Sequence, residues 1–270
     1  MIEEFEIEVG GAVIVGAEIG EGLPVVFLHA GVCDHRMWRG QMEAVANAGF
    51  HAVAYDRRGY GETTSPDESF SHLEDLEAVL DALDIHAAII VGCSMGGGLA
   101  VDFALANPGR TIGLVLVGTS ITGASSFVSD LEQPLVMAEE DAEERGDLDM
   151  LNKVQAHAWL DGPRSQSGRV WGAARELFLD MNGKALRQPP LTREEPRPRA
   201  IDRLESINAP ALLIVGDLDF TYILQRHDDA SEALPNAFGV VLEGTAHIPN
   251  LERPDLFNPL LLEFLAAVTA

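Results

Sequence analysis

Two rhythms alternate along this chain. Short and almost wholly apolar runs recur at residues 25–28, 52–55, 87–91, 112–117, 211–215 and 239–242, all of strand length. Strands that are apolar on nearly every residue are buried on both faces. Segments of helical pattern separate them, so the pattern predicts a mostly parallel central sheet with helices on both faces. Residues 2–9 and 12–19 predict two further strands joined in a hairpin around Gly10 and Gly11. A helix is predicted after Ser71, where Ser71 and Glu74 have capping-box spacing and Leu73, Leu76, Leu80 and Leu83 follow at helical intervals. Another begins near Gly96 and stops at Pro108 and Gly109.

The alternation lapses between about residues 121 and 201. That stretch holds helix-like segments with scattered Trp, Met and His, no convincing strand, and a closing run "RQPPLTREEPRPRA" whose prolines favour an extended return. The predicted organisation is therefore a discontinuous core, 1–120 and 202–270, interrupted by a helical cap insertion over 121–201. An insertion so placed is expected to select the substrate and to leave the chemistry to the core loops.

Composition narrows the partners. With 18 basic and 43 acidic residues the formal charge is −25, which disfavours nucleic acid and anionic membrane surfaces. No apolar run approaches the roughly 18 residues of a membrane span. Two cysteines, Cys33 and Cys93, make no disulfide framework, and "MIEEFEIEVG" lacks the features of a secretory signal. The expectation is a cytoplasmic, soluble protein, a monomer or homodimer, acting on a small molecule.

The chemistry centres on "VGCSMGGGLA", residues 91–100, where a cysteine and a serine are neighbours. Centred on Ser94 the stretch reads Gly-x-Ser-x-Gly; centred on Cys93 the flanking positions are Val91 and Met95, both too large for a sharp strand-to-helix bend. Ser94 is thus the expected nucleophile and Cys93 its buried neighbour. A serine hydroxyl needs a base oriented by an acid. His247 follows the last apolar run, and Asp217 and Asp219 follow the one before it. Loops at the carboxyl ends of parallel strands gather at one edge of the sheet, so these residues are expected to meet Ser94. His51, His72, His86 and His227 read as surface or strand-entry residues, and His35 as making ordinary polar contacts.

The segments "FLHAGVCDHRMW", "DRRGYGET", "GCSMGG", "GDLD" and "AHIPNLERP" resemble, in order and spacing, the α/β-hydrolase superfamily. The resemblance covers the core, about two thirds of the chain. It implies the α/β-hydrolase fold, the triad Ser94, Asp219 and His247, and Asp217 as a turn residue. It also implies an oxyanion hole from the backbone N–H groups of Met95 and Gly31, with Val32 or Ala30 as alternatives to Gly31. His29 would hold that loop in shape, and Asp56, Arg57 and Arg58 would form ion pairs behind it.

No metal or organic cofactor is implied, and no cluster of ligand spacing stands out. Val32, His157, Trp159 and Ile248 are expected in the substrate pocket, with Met137, Trp171 and Phe178 as further apolar candidates. Arg187, Arg193, Arg197, Arg199 and Arg203 read as a solvated hinge or, alternatively, as a site for a substrate carboxylate. The function expected is a carboxylesterase on ester or lactone substrates. Alternatives on the same triad are a lactonase similar to 3-oxoadipate enol-lactonases and a carbon–carbon bond hydrolase. The superfamily's cofactor-free haloperoxidases share the Ser-Met-Gly-Gly-Gly run. A hydrolase-fold receptor or scaffold with little turnover is the reading from another class.

Overall fold

A computed structural model describes residues 1–269. Eight strands form one sheet: β1 (Glu3–Val9), β2 (Ala12–Ile19), β3 (Pro24–Leu28), β4 (His51–Tyr55), β5 (Ala88–Cys93), β6 (Thr111–Val117), β7 (Ala211–Gly216) and β8 (Ala237–Leu242). Their spatial order is β1-β2-β4-β3-β5-β6-β7-β8. The β1–β2 hairpin pairs antiparallel and β2 joins β4 antiparallel; every later pairing is parallel. Each apolar run of the sequence thus becomes a strand, and the mostly parallel α/β-hydrolase sheet is present.

Alternate side chains of each central strand feed two cores. Val26, Leu28 and Ile90 enter the core on one face, with Leu76, Leu80 and Phe103 of the helices α2 (His72–Ala82) and α3 (Met95–Ala106). Val25, Phe27, Ile89 and Val91 enter the other, beneath α1 (Arg39–Asn47) and, near the end of the chain, a fifteen-residue helix (Pro254–Val268). There Trp38 is fully buried, its ring 5.3 Å from Phe27 and 6.2 Å from Phe257. Truncating such an aromatic would cost about 3–5 kcal/mol.

One apolar run departs from its expected burial. β8 ends the sheet, and with no strand beyond it Phe238 and Val241 lie open, 67% and 50% exposed. Continuous hydrophobicity therefore marks a strand here without marking a central one.

Between β6 and β7 the chain leaves the sheet. It forms α4 (Gln133–Glu144) and α5 (Leu148–Gln155), a π-helical turn over Ala156–Asp161, and α6 (Ala173–Ala185). The proline-rich return pairs with the core in one isolated bridge, Phe70 with Glu194, and is tied to it further by Thr192 on Asp67 and Arg197 on Asp102. Among the described residues no helix is long and apolar enough to cross a membrane. After β7 come α7 (Thr221–Ala233), and then α8 (Pro249–Glu252) ahead of the terminal helix, α9.

Candidate active site

β3 has β4 on one side and β5 on the other, so the direction of winding reverses there, and ligand crevices in such sheets open at that point. Ser94 sits at the end of β5 with φ 53° and ψ −115°, a conformation that costs a non-glycine residue about 1–3 kcal/mol. The strain persists because the backbone around it is fixed. Ser94 N–H donates to Val117 O at 2.8 Å, and Ser94 O accepts from Ser120 N and Gly98 N, both at 3.0 Å. The flanking glycines are required by contact. A Cβ at Gly92 would lie 2.3 Å from Gly96 O, and one at Gly96 would lie 2.2 Å from Leu28 O. Cys93 points the other way: it is fully buried, its Sγ is 3.6 Å from His247 O, and burial pushes its thiol well above the ordinary range.

Asp219 and His247 meet across two loops. His247 Nδ1 lies 2.7 Å from Asp219 Oδ2, and both side chains are buried. Asp219 Oδ1 accepts from Phe220 N at 2.8 Å, which fixes the carboxylate's rotation. Asp217 faces elsewhere and accepts from Gly244 N at 2.6 Å, as a turn residue does. Gly118, at φ +49°, allows the pair its room; a Cβ there would sit 2.9 Å from His247 Nδ1. The Ser94 hydroxyl has no hydrogen-bond partner among the described residues.

The loop after β3 supplies the facing wall. Met95 is the first residue of α3, so its N–H has no intrahelical acceptor. Gly31 packs on the Met95 thioether so closely that a Cβ would be 2.6 Å from Sδ. Ala30 N–H points at Met37 Sδ, 3.4 Å away. His29 is fully buried and held near pKa 3, first by burial and then by Arg57. Its Nε2 accepts from Arg57 N at 3.1 Å, which leaves Nδ1 to donate to Ala30 O at 2.7 Å. It shapes the loop.

Behind the loop the three charged residues part ways. Arg58 makes a two-pronged pair with Asp75, both contacts at 2.8 Å, and Asp56 pairs with His35 at 2.8 Å. Arg57, expected in an ion pair, has no carboxylate partner among the described residues. It donates to His29 O at 3.1 Å and lies over the Tyr60 ring. Asp34, His35 and Asp56 come together closely enough to hold a metal ion, a cluster the sequence did not announce. Their ligand atoms are engaged already, Asp34 by Arg36 and Asp56 by His35 and by Glu62 N–H.

A cavity of about 300 Å³ opens beside Gly31, Val32 and Met95, extending past Tyr60 and His72 to Gln155 and Leu191. Val32 lines this cavity, whereas Trp159 lies 4.7 Å from the His247 ring and 4.8 Å from Phe220. The other expected pocket residues are elsewhere. Ile248 is fully buried in the core, and His157 Nε2 is held at 2.9 Å by Ser165 O, within the insertion itself. Met137 on α4 and Trp171 just ahead of α6 are exposed, while Phe178 on α6 is buried against the core, because an apolar residue type alone does not say which side meets the core.

Arg187, Arg197 and Arg199 pair with Asp149, Asp102 and Asp202, so in this strongly acidic chain those guanidinium groups already have carboxylates. His72 and His227 are buried, not at the surface as expected. His72 faces the cavity, and burial, with Arg57 next in weight, pushes it down to about 2.

With this geometry in view, comparison with known proteins is informative. Residues 25–260 match the alpha/beta hydrolase family, and the chain belongs to that family. It is 32% identical over 232 residues to a 2-hydroxy-6-oxononadienedioate/2-hydroxy-6-oxononatrienedioate hydrolase of Paraburkholderia phymatum, covering 83% of this chain and 79% of that one. Among solved structures, Est816, described as an N-acyl homoserine lactone degrading enzyme, superposes with a TM-score of 0.75 at 26% identity, covering 96% of this chain and 99% of that one. A thermophilic esterase from Thermogutta terrifontis has the same fold, with a TM-score of 0.80 at 22% identity over 99% of this chain and 100% of that one. The relatives include hydrolases, esterases and non-heme chloroperoxidases.

Proposed function

We propose that this protein is a serine hydrolase of carboxylic esters that works through an acyl-enzyme. The observation that carries the reading is the 2.7 Å pairing of His247 Nδ1 with Asp219 Oδ2, in a chain whose strained Ser94 bend has glycines on both sides. Ser94 Oγ attacks the ester carbonyl carbon while His247 Nε2 takes its proton. Asp219 holds the imidazole in the required tautomer and supports its positive charge. The oxyanion accepts from Met95 N–H and Gly31 N–H. His247 then gives the proton to the departing alkoxide. It next takes one from water as the water oxygen attacks the acyl carbon, and hands that proton to Ser94 Oγ as the acyl C–O bond breaks, releasing the acid and restoring Ser94 and His247. The insertion over 121–201 is the substrate-selecting cap in this reading, with Trp159 against His247 as one wall.

Turnover of a p-nitrophenyl ester panel, abolished in Ser94→Ala, is the expected result. Absence of turnover on esters and lactones by the folded protein would instead favour a receptor or scaffold. The 32% identity to the Paraburkholderia phymatum enzyme favours a second reading, carbon–carbon bond hydrolysis on the same triad. It would show as faster consumption of a 2-hydroxy-6-oxo dienoate than of any ester in the panel.

A further inference from the structure

The insertion does more than roof the site. Its loop from Asp161 to Val170 leaves the π-helical turn and sends two arginines down onto the loops that hold Asp219 and His247. Arg164 Nη2 donates to Asp217 O at 3.3 Å and to Asp219 O at 3.2 Å. Its Nε lies 3.8 Å from Glu132 Oε1, and that same oxygen accepts from Thr221 N–H at 2.8 Å. Arg169 Nη1 donates to Gly244 O at 2.9 Å, and its Nη2 joins Glu252 Oε2. The other oxygen of Glu252 accepts from Ala246 N–H at 2.8 Å, one residue before His247. One arginine thus engages the acid's loop, and the other engages the histidine's.

The loop itself is braced for this. Asp161 is fully buried and accepts from Gly168 N at 2.7 Å and Val170 N at 2.9 Å, while Arg175 neutralises it at 2.9 Å. Arg169 Nε and Nη2 return to Asp161 O and Leu160 O at 2.7 and 3.0 Å. A guanidinium has five donors in a rigid fork, so it fixes several carbonyls in one geometry where a lysine would fix fewer.

We propose that Arg164, Arg169 and Glu252 are positioning residues, through which the insertion holds Asp219 and His247 in register for proton transfer to and from Ser94. The proposal rests on the serine-hydrolase reading above. A loop displaced by about 1 Å costs such a site about a hundredfold in rate, without change in the groups that touch substrate. Glu252 also has an unusual titration. Burial, with Asp219 as a like charge, pushes it up to about 7 against the pull of Arg169 and Ala246 N–H.

The test uses p-nitrophenyl acetate, an ester too small to sample the walls of the insertion, and a fluorophosphonate that labels Ser94. Arg169→Ala and Arg164→Ala are each expected to lower kcat and labelling rate by about tenfold to a hundredfold, with KM within about twofold. Arg169→Lys is expected to restore only part of the loss. Glu252→Gln keeps size and one acceptor for Ala246 N–H; it is expected to remove one ionisation from the kcat–pH profile, where a merely structural role would lower the whole curve without reshaping it. Arg145→Ala, whose partner Asp141 is at the surface of α4, is the control with unchanged rate.

Folded Arg169→Ala and Arg164→Ala with wild-type kcat and labelling would overturn the proposal. So would rate losses that follow only the loss of melting temperature and vanish on cooling. Failure of Ser94→Ala to abolish labelling would instead sink the serine-hydrolase reading itself.

Discussion

The bend at Ser94 and the loop from Asp161 to Val170 both border the candidate site, but they are built from different materials. The bend is made by backbone and by missing side chains: Gly92 and Gly96 leave no room for a methyl group, and Ser94 is pinned by main-chain bonds to Val117 and Ser120. The loop is made by long charged side chains, Arg164 and Arg169, reaching to carbonyls and to Glu252. Backbone and glycine leave a local mark on the sequence, since spacing and residue size decide whether the turn exists. Side chains that reach across 53 to 83 positions leave none, because any arginine in an acidic protein has many carboxylates to choose from.

The sharpest way to break this contrast is at Ser94. Ser94→Ala is expected to lower kcat on esters by about 10⁶-fold, while Cys93→Ala, a change in a fully buried thiol, keeps activity within a few-fold. The reverse ranking, measured on the same p-nitrophenyl substrate, would move the nucleophile and discard the steric argument about the glycines. Next in size, Asp219→Asn is expected to cost about 10⁴ in kcat, since the amide offers His247 Nδ1 the wrong partner half the time and no charge. Asp217→Asn, which disturbs only the turn at Gly244, should cost far less. Steady-state rates on both variants settle which aspartate serves the histidine.

On the side of the insertion, Trp159→Ala is expected to alter relative kcat/KM across acyl chain lengths by roughly 10–200-fold per lost apolar contact. Equal losses for every chain length would mean that Trp159 supports His247 instead of sorting substrates. His157→Ala should change selectivity little, because that ring is tied to Ser165 O.

The smallest effect concerns stability. His35 is half-buried, which alone would lower its pKa, yet the hydrogen bond and charge of Asp56 raise it above its ordinary value. A raised folded-state pKa stabilises most below the unfolded value of about 6.5 and is lost as pH rises through the folded one. Asp56 is lowered, against the opposing effect of burial, through His35, so its own contribution is lost as pH falls below the carboxylate range. The melting temperature of the wild type relative to His35→Gln should therefore be greatest between about pH 4 and 6.5. A difference that did not shrink above that window would show that the pair contributes packing alone.

The sheet was legible because strand hydrophobicity is a local property. All eight strands fall on the apolar runs or the hairpin, and Ser71 does accept from Glu74 N–H at the start of α2. What stayed illegible was which face or which edge a segment would occupy. Phe238 in an edge strand, Phe178 beneath the insertion and Trp171 on its surface all carry the same hydrophobic letter. The two burials that surprised, His72 and His227, follow from helices whose polar residues happen to face inward. The Asp34, His35 and Asp56 cluster required the fold to bring the end of β4 beside the loop after β3. Arg57 fills its site through a carbonyl and an aromatic ring, partners that no charge count reveals.

The order of the strands has a consequence for how the molecule comes into being. Ser94 and Gly31 hang from neighbouring strands laid down early in the chain, whereas the contact between Cys93 and the carbonyl of His247 spans 154 positions. Contacts of that separation close late, since the loop entropy must be met before they form. A chain leaving the ribosome therefore carries the bend at Ser94 and the loop after β3 long before His247 exists. Hydrolytic competence would arrive last, as a signal that the final strands and the terminal helix have docked. Regain of Ser94 reactivity during refolding is accordingly expected to trail the recovery of strand signal, and the lag between them times that final docking.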